Sequence, residues 1–307
     1  MVTRFFQFCV FFLAVLLAPA HALILPSSLV DTDWLGENLQ KITVLDVRKD
    51  LDSFTKEGHI AGAILVNAKK IRTARMINGI ELTRMRPTRS VFEAFMSEHG
   101  VSNNSIVVIT HQGITPGDVA GAARLYWQMK YYGIDQVAML DGGNAQWLAN
   151  MEELTIEPVK IPKGDFKVTT ENSDILAVLE LVKESINSDQ VTLIDTRSLR
   201  FHIGLEKRSY VYDYGHIPSS RVFPYKFLHP SKGVMIFPTK QQIKARFDAL
   251  KINPDGATIL YCNSAYECSS VWFSLHEIYG NQDVRIYDGS LHQWTKDYNR
   301  PMTTILR

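Results

Sequence analysis

The chain repeats itself at the scale of a whole domain. An apolar run, Val44-Leu45-Asp46-Val47-Arg48, is followed by Gly58-His59-Ile60, then by Ile106-Val107-Val108-Ile109-Thr110, then by Leu140-Asp141-Gly142-Gly143 with Gln146-Trp147 behind it. The same series returns in order as Leu193-Ile194-Asp195-Thr196-Arg197, Gly215-His216-Ile217, Thr258-Ile259-Leu260-Tyr261-Cys262, and Tyr287-Asp288-Gly289-Ser290 with Gln293-Trp294. The closing landmarks, Asp141 with Asp288 and Trp147 with Trp294, are offset by about 147 residues. That period is a domain, far above the 20–50 residues of a solenoid repeat. Short β-branched runs alternate with helical stretches near 91–99, 120–132, 241–250 and 269–279. Such alternation predicts an α/β fold in each half, a mainly parallel sheet with helices on both faces. Glu157-Pro158, Ile161-Pro162 and Lys163-Gly164 break the pattern between the halves. The expected division is a first domain over 27–150, a linker over 151–171 and a second domain over 172–307.

The first 22 residues read as an export signal. Arg4 supplies a positive start, residues 5–17 form an apolar run of about 13, and Ala20-His21-Ala22 offers the small residues of a cleavage site. The run falls short of the roughly 20 residues that span a bilayer. Cleavage after Ala22 is therefore expected, with a periplasmic or secreted destination and no stable membrane insertion afterwards. With 33 Lys+Arg against 32 Asp+Glu, the chain shows no basic excess of the kind that binds nucleic acid.

Of three cysteines, Cys9 lies in the signal. Cys262 ends an apolar strand just before a predicted helix, and the carboxyl ends of parallel strands are where chemistry collects in open α/β sheets. Loop amides and a helix N-terminus at that place favour thiolate over thiol. Cys262 is thus the candidate nucleophile. Cys268 shares a spacing with Val271, Trp272, Leu275 and Tyr279, the stripe of a core-facing helix. A Cys262–Cys268 disulfide stays open as an alternative. Scattered histidines and two cysteines give no zinc pattern, and no phosphate loop or dinucleotide fingerprint is present, so no cofactor is expected.

With these words in place, in this order and twice, the sequence resembles the tandem-domain rhodanese family of thiosulfate and 3-mercaptopyruvate sulfurtransferases. The matching residues are Leu-Asp-Val-Arg (45–48) and Ile-Asp-Thr-Arg (194–197), the two Gly-His-Ile triplets, and the Asp-Gly-Gly and Asp-Gly-Ser elements with their tryptophans. Cys262-Asn263-Ser264-Ala265-Tyr266-Glu267 falls on the family's six-residue active-site loop. The resemblance implies a persulfide on Cys262, loaded by a small sulfur donor and unloaded by a thiol or cyanide-like acceptor. It also implies that the amides of Asn263, Ser264, Ala265, Tyr266 and Glu267 stabilise the sulfur anion. Arg197 and Arg200 lie where the family places substrate-side arginines, and for Arg197 an internal pair with the Asp of its Asp-x-Arg word stays equally open. The loop departs from the family in having Ala265 where glycine is usual, Glu267 as an acid, and no Lys or Arg.

Aligning the apolar runs sets Thr110 opposite Cys262, so the first domain is expected to lack a nucleophile. His59 and His216 are expected to mark turns. The stretch 199–214, rich in Arg and Tyr, is longer than its counterpart in the first half and is a candidate surface for a protein partner. Two functional readings follow: a sulfurtransferase, and a catalytically weak binding or sulfur-carrier module. A phosphatase is disfavoured, because no Arg lies between 263 and 284 to grip phosphate.

Overall fold

The computed structural model describes residues 23–305, so the expected signal segment lies outside the described residues. The first domain runs β1 (Leu29–Val30), α1 (Thr32–Asn38), β2 (Thr43–Arg48), α2 (Asp52–Lys56), β3 (Ile64–Asn67), β4 (Thr73–Ile77), β5 (Ile80–Met85), α3 (Arg89–Glu98), β6 (Val107–His111), α4 (Pro116–Tyr131), β7 (Val137–Leu140) and α5 (Gly143–Ala149). The second runs β8 (Leu176–Ala177), α6 (Leu179–Ser185), β9 (Val191–Asp195), α7 (Leu199–His202), β10 (Arg221–Val222), α8 (Lys240–Ala249), β11 (Ala257–Tyr261), α9 (Cys268–Trp272), β12 (Val284–Tyr287) and α10 (Ser290–Trp294). α9 widens into a π-type stretch over Phe273–Tyr279, which Gly280 ends with a φ of 98°.

Each domain holds one five-stranded sheet. The orders are β1-β7-β6-β2-β3 and β8-β12-β11-β9-β10, strand for strand the same, and every pairing is parallel. Central strands sheathed on both faces need apolar side chains on both. β6 accordingly reads Val-Val-Ile-Thr-His and is buried at every position. β4 and β5 form a separate antiparallel hairpin turned by Asn78 and Gly79, both at positive φ, as a tight hairpin turn requires.

The repeated Asp-x-Arg and Gly-His words have the same structural job in both halves. Arg48 grips the Asp46 carboxylate and the Gly58 carbonyl, and Arg197 grips Asp195 and the Gly215 carbonyl, all of them buried. Each clamp ties the end of a central strand to the following turn. His59 and His216 then pair through their backbones with Thr155 and Thr303.

The halves share one hydrophobic core. Leu45, Ile109 and Tyr126 of the first belong to the same buried cluster as Leu260, Trp272 and Ile286 of the second. α4 is buried along most of its length between the two domains, and the Tyr126 ring meets Phe273 edge-on at 4.8 Å. A continuous apolar interface of this kind holds domains rigidly. The segment 151–171 is also anchored, since Phe166 and Val168 are buried and Phe166 hydrogen-bonds back to Val101.

Candidate active site

β11 delivers Cys262 to the carboxyl edge of the second sheet, and the six-residue loop leads from there into α9. The sulfur is fully buried, which by itself raises a thiol's pKa. Against that, the Cys268 thiol and the amides of Cys268, Ser264 and Glu267 donate to it, and together they bring Cys262 down to about 6. Cys268 is a free thiol whose own pKa is driven far up by burial first and by its neighbour. It is therefore a hydrogen-bond donor to the Cys262 sulfur, and no disulfide joins the two. The loop curls tightly because Ala265 adopts a φ of 52° while completely buried. That conformation costs an alanine about 1 kcal/mol relative to glycine. Ser290 pins the curl: its Oγ accepts from the amides of Cys262 (3.2 Å) and Ala265 (3.1 Å) and donates to the Tyr287 carbonyl.

Above the sulfur lies a cavity of about 440 Å³. Lys49, Lys69, Arg72 and Arg84 reach it from the first domain, and Arg208 from the second, with Tyr210, Tyr225 and Tyr266 as aromatic walls. Arg72 donates to Ser264 Oγ at 3.2 Å and lies over the Tyr266 ring, while Arg84 covers Tyr210. Burial first, then the neighbouring Arg124, pull Arg72 below its ordinary value. A cleft this crowded with cations favours a bound anion. Asn263, Ser264, Tyr266 and Glu267 line it beside Cys262; Ala265 lies underneath, its carbonyl held by Arg124. Glu267 is shifted to about 8, by burial first and by the Cys262 thiolate second.

The two arginines expected on the substrate side are elsewhere. Arg197 is the buried clamp on Asp195, whose carboxyl it holds at about 2 against the upward push of burial. Its charge reaches Cys262 through space, but its Nε and Nη2 donors are engaged by Asp195 and the Gly215 carbonyl. Arg200 is 64% exposed and pairs with Glu206 on the surface. Their place in the cavity is taken by Arg208 and by the four cations of the first domain. Only Arg208 and Tyr210 fall within the stretch 199–214 that stood out in the sequence. For the others the readable signals were the basic run Lys69-Lys70-Ile71-Arg72 and the hairpin dipeptide Asn78-Gly79. Neither says that the segment crosses to the other domain.

The first domain's counterpart corrects the sequence alignment. Asp46 pairs with Thr110 in one sheet and Asp195 with Tyr261 in the other, so His111, not Thr110, stands in the place of Cys262. Here the crevice is filled. The amide of Met235 donates to the Gly113 carbonyl, that of Phe237 donates to Asp141 Oδ1, and a Cβ on Gly142 would meet Val234 at 2.7 Å. The exchange is reciprocal, because the Arg86 amide in the first domain donates to Asp288 Oδ2 in the second. Each domain sends the segment after its edge strand across the other's strand ends. One segment closes a crevice; the other walls an open one.

A family model for the rhodanese-like domain matches residues 31–150 and again 178–297. Among curated proteins, the chain is 28% identical over 285 residues to the sulfur carrier protein TtuD of Thermus thermophilus, covering 88% of this chain and 94% of that one. It is 29% identical over 292 residues to SseA of Mycobacterium bovis, whose name assigns it provisionally as a thiosulfate sulfurtransferase, covering 88% of each. Among solved structures, wild-type EanB superposes with a TM-score of 0.78 at 19% identity, over 90% of this chain and 69% of the other. YnjE superposes with a TM-score of 0.74 at 20% identity, over 90% and 68%. These two likenesses concern the fold. The chain belongs to the rhodanese-like family, as a tandem-domain member of the sulfurtransferase type.

Proposed function

We propose that the protein moves a sulfane sulfur from a small anionic donor to a thiophilic acceptor through a persulfide on Cys262. The observation that carries this reading is a buried thiolate under converging N–H groups, at the floor of a cleft lined by five cationic side chains. The Cys262 thiolate attacks the donor's outer sulfur, the bond to the rest of the donor breaks, and the leaving group departs with that bond's electrons. The new persulfide anion rests under the amides that held the thiolate. An acceptor, thiol or cyanide, then attacks the outer sulfur and returns Cys262 to its starting state. Two displacements of this kind give ping-pong kinetics.

Intact mass after exposure to thiosulfate, or to 3-mercaptopyruvate, tests the reading directly. One added sulfur, removed by cyanide and absent in Cys262→Ser, is expected. Full transfer activity in Cys262→Ser would sink it.

A carrier role, in which the sulfur passes to a protein, draws support from the name of the Thermus relative and from exposed Tyr212 and Tyr214, just beyond Tyr210 of the cleft wall in sequence. In that role residues 199–214 meet the partner. The same reading takes residues 1–22 as an export signal, so the mature chain begins at Leu23 and works outside the cytoplasm; the intact mass of exported protein reads this as well.

A further inference from the structure

The pocket suits anions, yet a carboxylic acid stands inside it. Glu267 lines the cavity with Cys262, and its Oε2 is sealed from solvent without a hydrogen-bond partner. Cys262 and Tyr266 face it from the loop, Asp195 and Arg197 from the end of β9, and Arg208 from the segment beyond α7. Tyr225 faces it from the chain after β10, and Lys49, itself beside Asp118, from across the cleft. Burial and the thiolate hold the carboxyl at about 8, while Cys262 titrates at about 6. At neutral pH the coupled pair therefore holds one proton between thiol and carboxyl, with the loop's hydrogen bonds to the sulfur and the burial of Glu267 favouring the carboxyl.

The use of a thiolate beside a protonated acid depends on what leaves. Sulfite departing from thiosulfate is a weak base and needs no proton. A thiolate departing from an organic persulfide is a stronger base, near the ordinary thiol value of about 8.5, and gains from receiving one as the S–S bond breaks. The cavity of about 440 Å³ has room for on the order of a dozen water-sized groups, more than the five heavy atoms of thiosulfate fill.

We propose that Glu267 is a catalytic acid–base residue, and that the donor it serves is an organic persulfide, R–S–SH, bearing carboxylates for the cationic wall. The proposal rests on the persulfide reading of Cys262. The Cys262 thiolate attacks the outer sulfur, the donor's S–S bond breaks, and the leaving thiolate takes the Glu267 proton and departs as R–SH. The transferred sulfur, now on Cys262, gives its own proton to the Glu267 carboxylate. A persulfide anion remains and the acid is restored, with no outside oxidant or reductant.

The test compares glutathione persulfide with thiosulfate as donors, from about pH 5.5 to about 9.5, in the wild-type protein and in Glu267→Gln. Glutamine keeps the neutral shape that the acid has at neutral pH and lacks the transferable proton. With the persulfide donor, the wild type is expected to show an alkaline limb in kcat/KM near pH 8. Glu267→Gln should lose that limb, and its ratio of persulfide to thiosulfate kcat/KM should fall at least about tenfold. An equal change for both donors, or a limb that survives the substitution, overturns the proposal. Loading of the wild type by thiosulfate but not by glutathione persulfide overturns this inference alone. Failure of both donors to add sulfur to Cys262 overturns the persulfide reading and this inference with it.

Discussion

At Cys262 two large effects oppose each other, and the hydrogen bonds win over burial. This assigns Cys268 a role that its core-facing spacing did not suggest. Its thiol is one of the donors that favour the Cys262 thiolate. Cys268→Ser retains a donor there and is expected to keep much of the activity. Cys268→Ala removes it, and the acid limb of Cys262 alkylation should move up from about pH 6 by on the order of one unit. Iodoacetamide rates against pH decide it; an unmoved limb would show that the amides alone suffice. The placement of Cys262 was legible in the sequence because a strand end before a helix is a local pattern. Arg197 was misplaced for the opposite reason. An Asp-x-Arg word cannot show whether its guanidinium turns inward to the carboxylate or outward to a ligand; the identical clamp at Arg48, in a domain without a nucleophile, shows that it turns inward.

Among the elements, the short α10 matters more than its five residues suggest. Ser290 stands where the first domain has Gly143, and its hydroxyl is the shared acceptor for two buried loop amides. Ser290→Ala leaves both unpaired, at about 1–3 kcal/mol for each buried orphan. We expect a loss of about 2–6 kcal/mol in denaturant unfolding and a large fall in the rate of Cys262 loading. Unchanged loading would mean that the loop holds its curl without the serine. The sheets and long helices were legible because burial imposes periodicity on them. α4 starts at Pro116, one turn before its apolar stretch, because Thr115 and Asp118 cap it reciprocally. The β4–β5 hairpin went unread although Asn78-Gly79 announces such a turn, since polar residues interrupt both strands and the hairpin packs on the other domain rather than on its own sheet.

For the whole molecule, the decisive feature is the crossing of segments between domains. It places His229 of the second domain beside His111 of the first. Burial lowers both, to about 4 and about 3, and each also has ring nitrogen that meets no partner. Unfolded histidines bind a proton near pH 6.5, while these bind one only far lower. The unfolded state therefore holds more protons between about pH 6.5 and 4, and stability falls as pH drops through that window, by about 1.4 kcal/mol per unit for each such group. Thermal unfolding followed from pH 7 to pH 4 should show this fall, and His111→Leu should flatten it. An unchanged slope in the variant would place the acid sensitivity elsewhere. Cations on the first domain and Cys262 on the second line one pocket, and no reading of local periodicity in either half could assemble it.

That crossing also sets what a duplicated chain can become. Two identical copies would each roof the other's crevice, and both sites would have to tolerate the same roof. Here the roofs have diverged, one into a hairpin that frames an opening and the other into a stopper seated on Gly113, Asp141 and Gly142. Specialisation of one half is thus locked in by the shape of the other. A cysteine returned to position 111 would sit behind the stopper, out of a donor's reach, and the second workshop would stay shut until residues 230–237 were rebuilt as well.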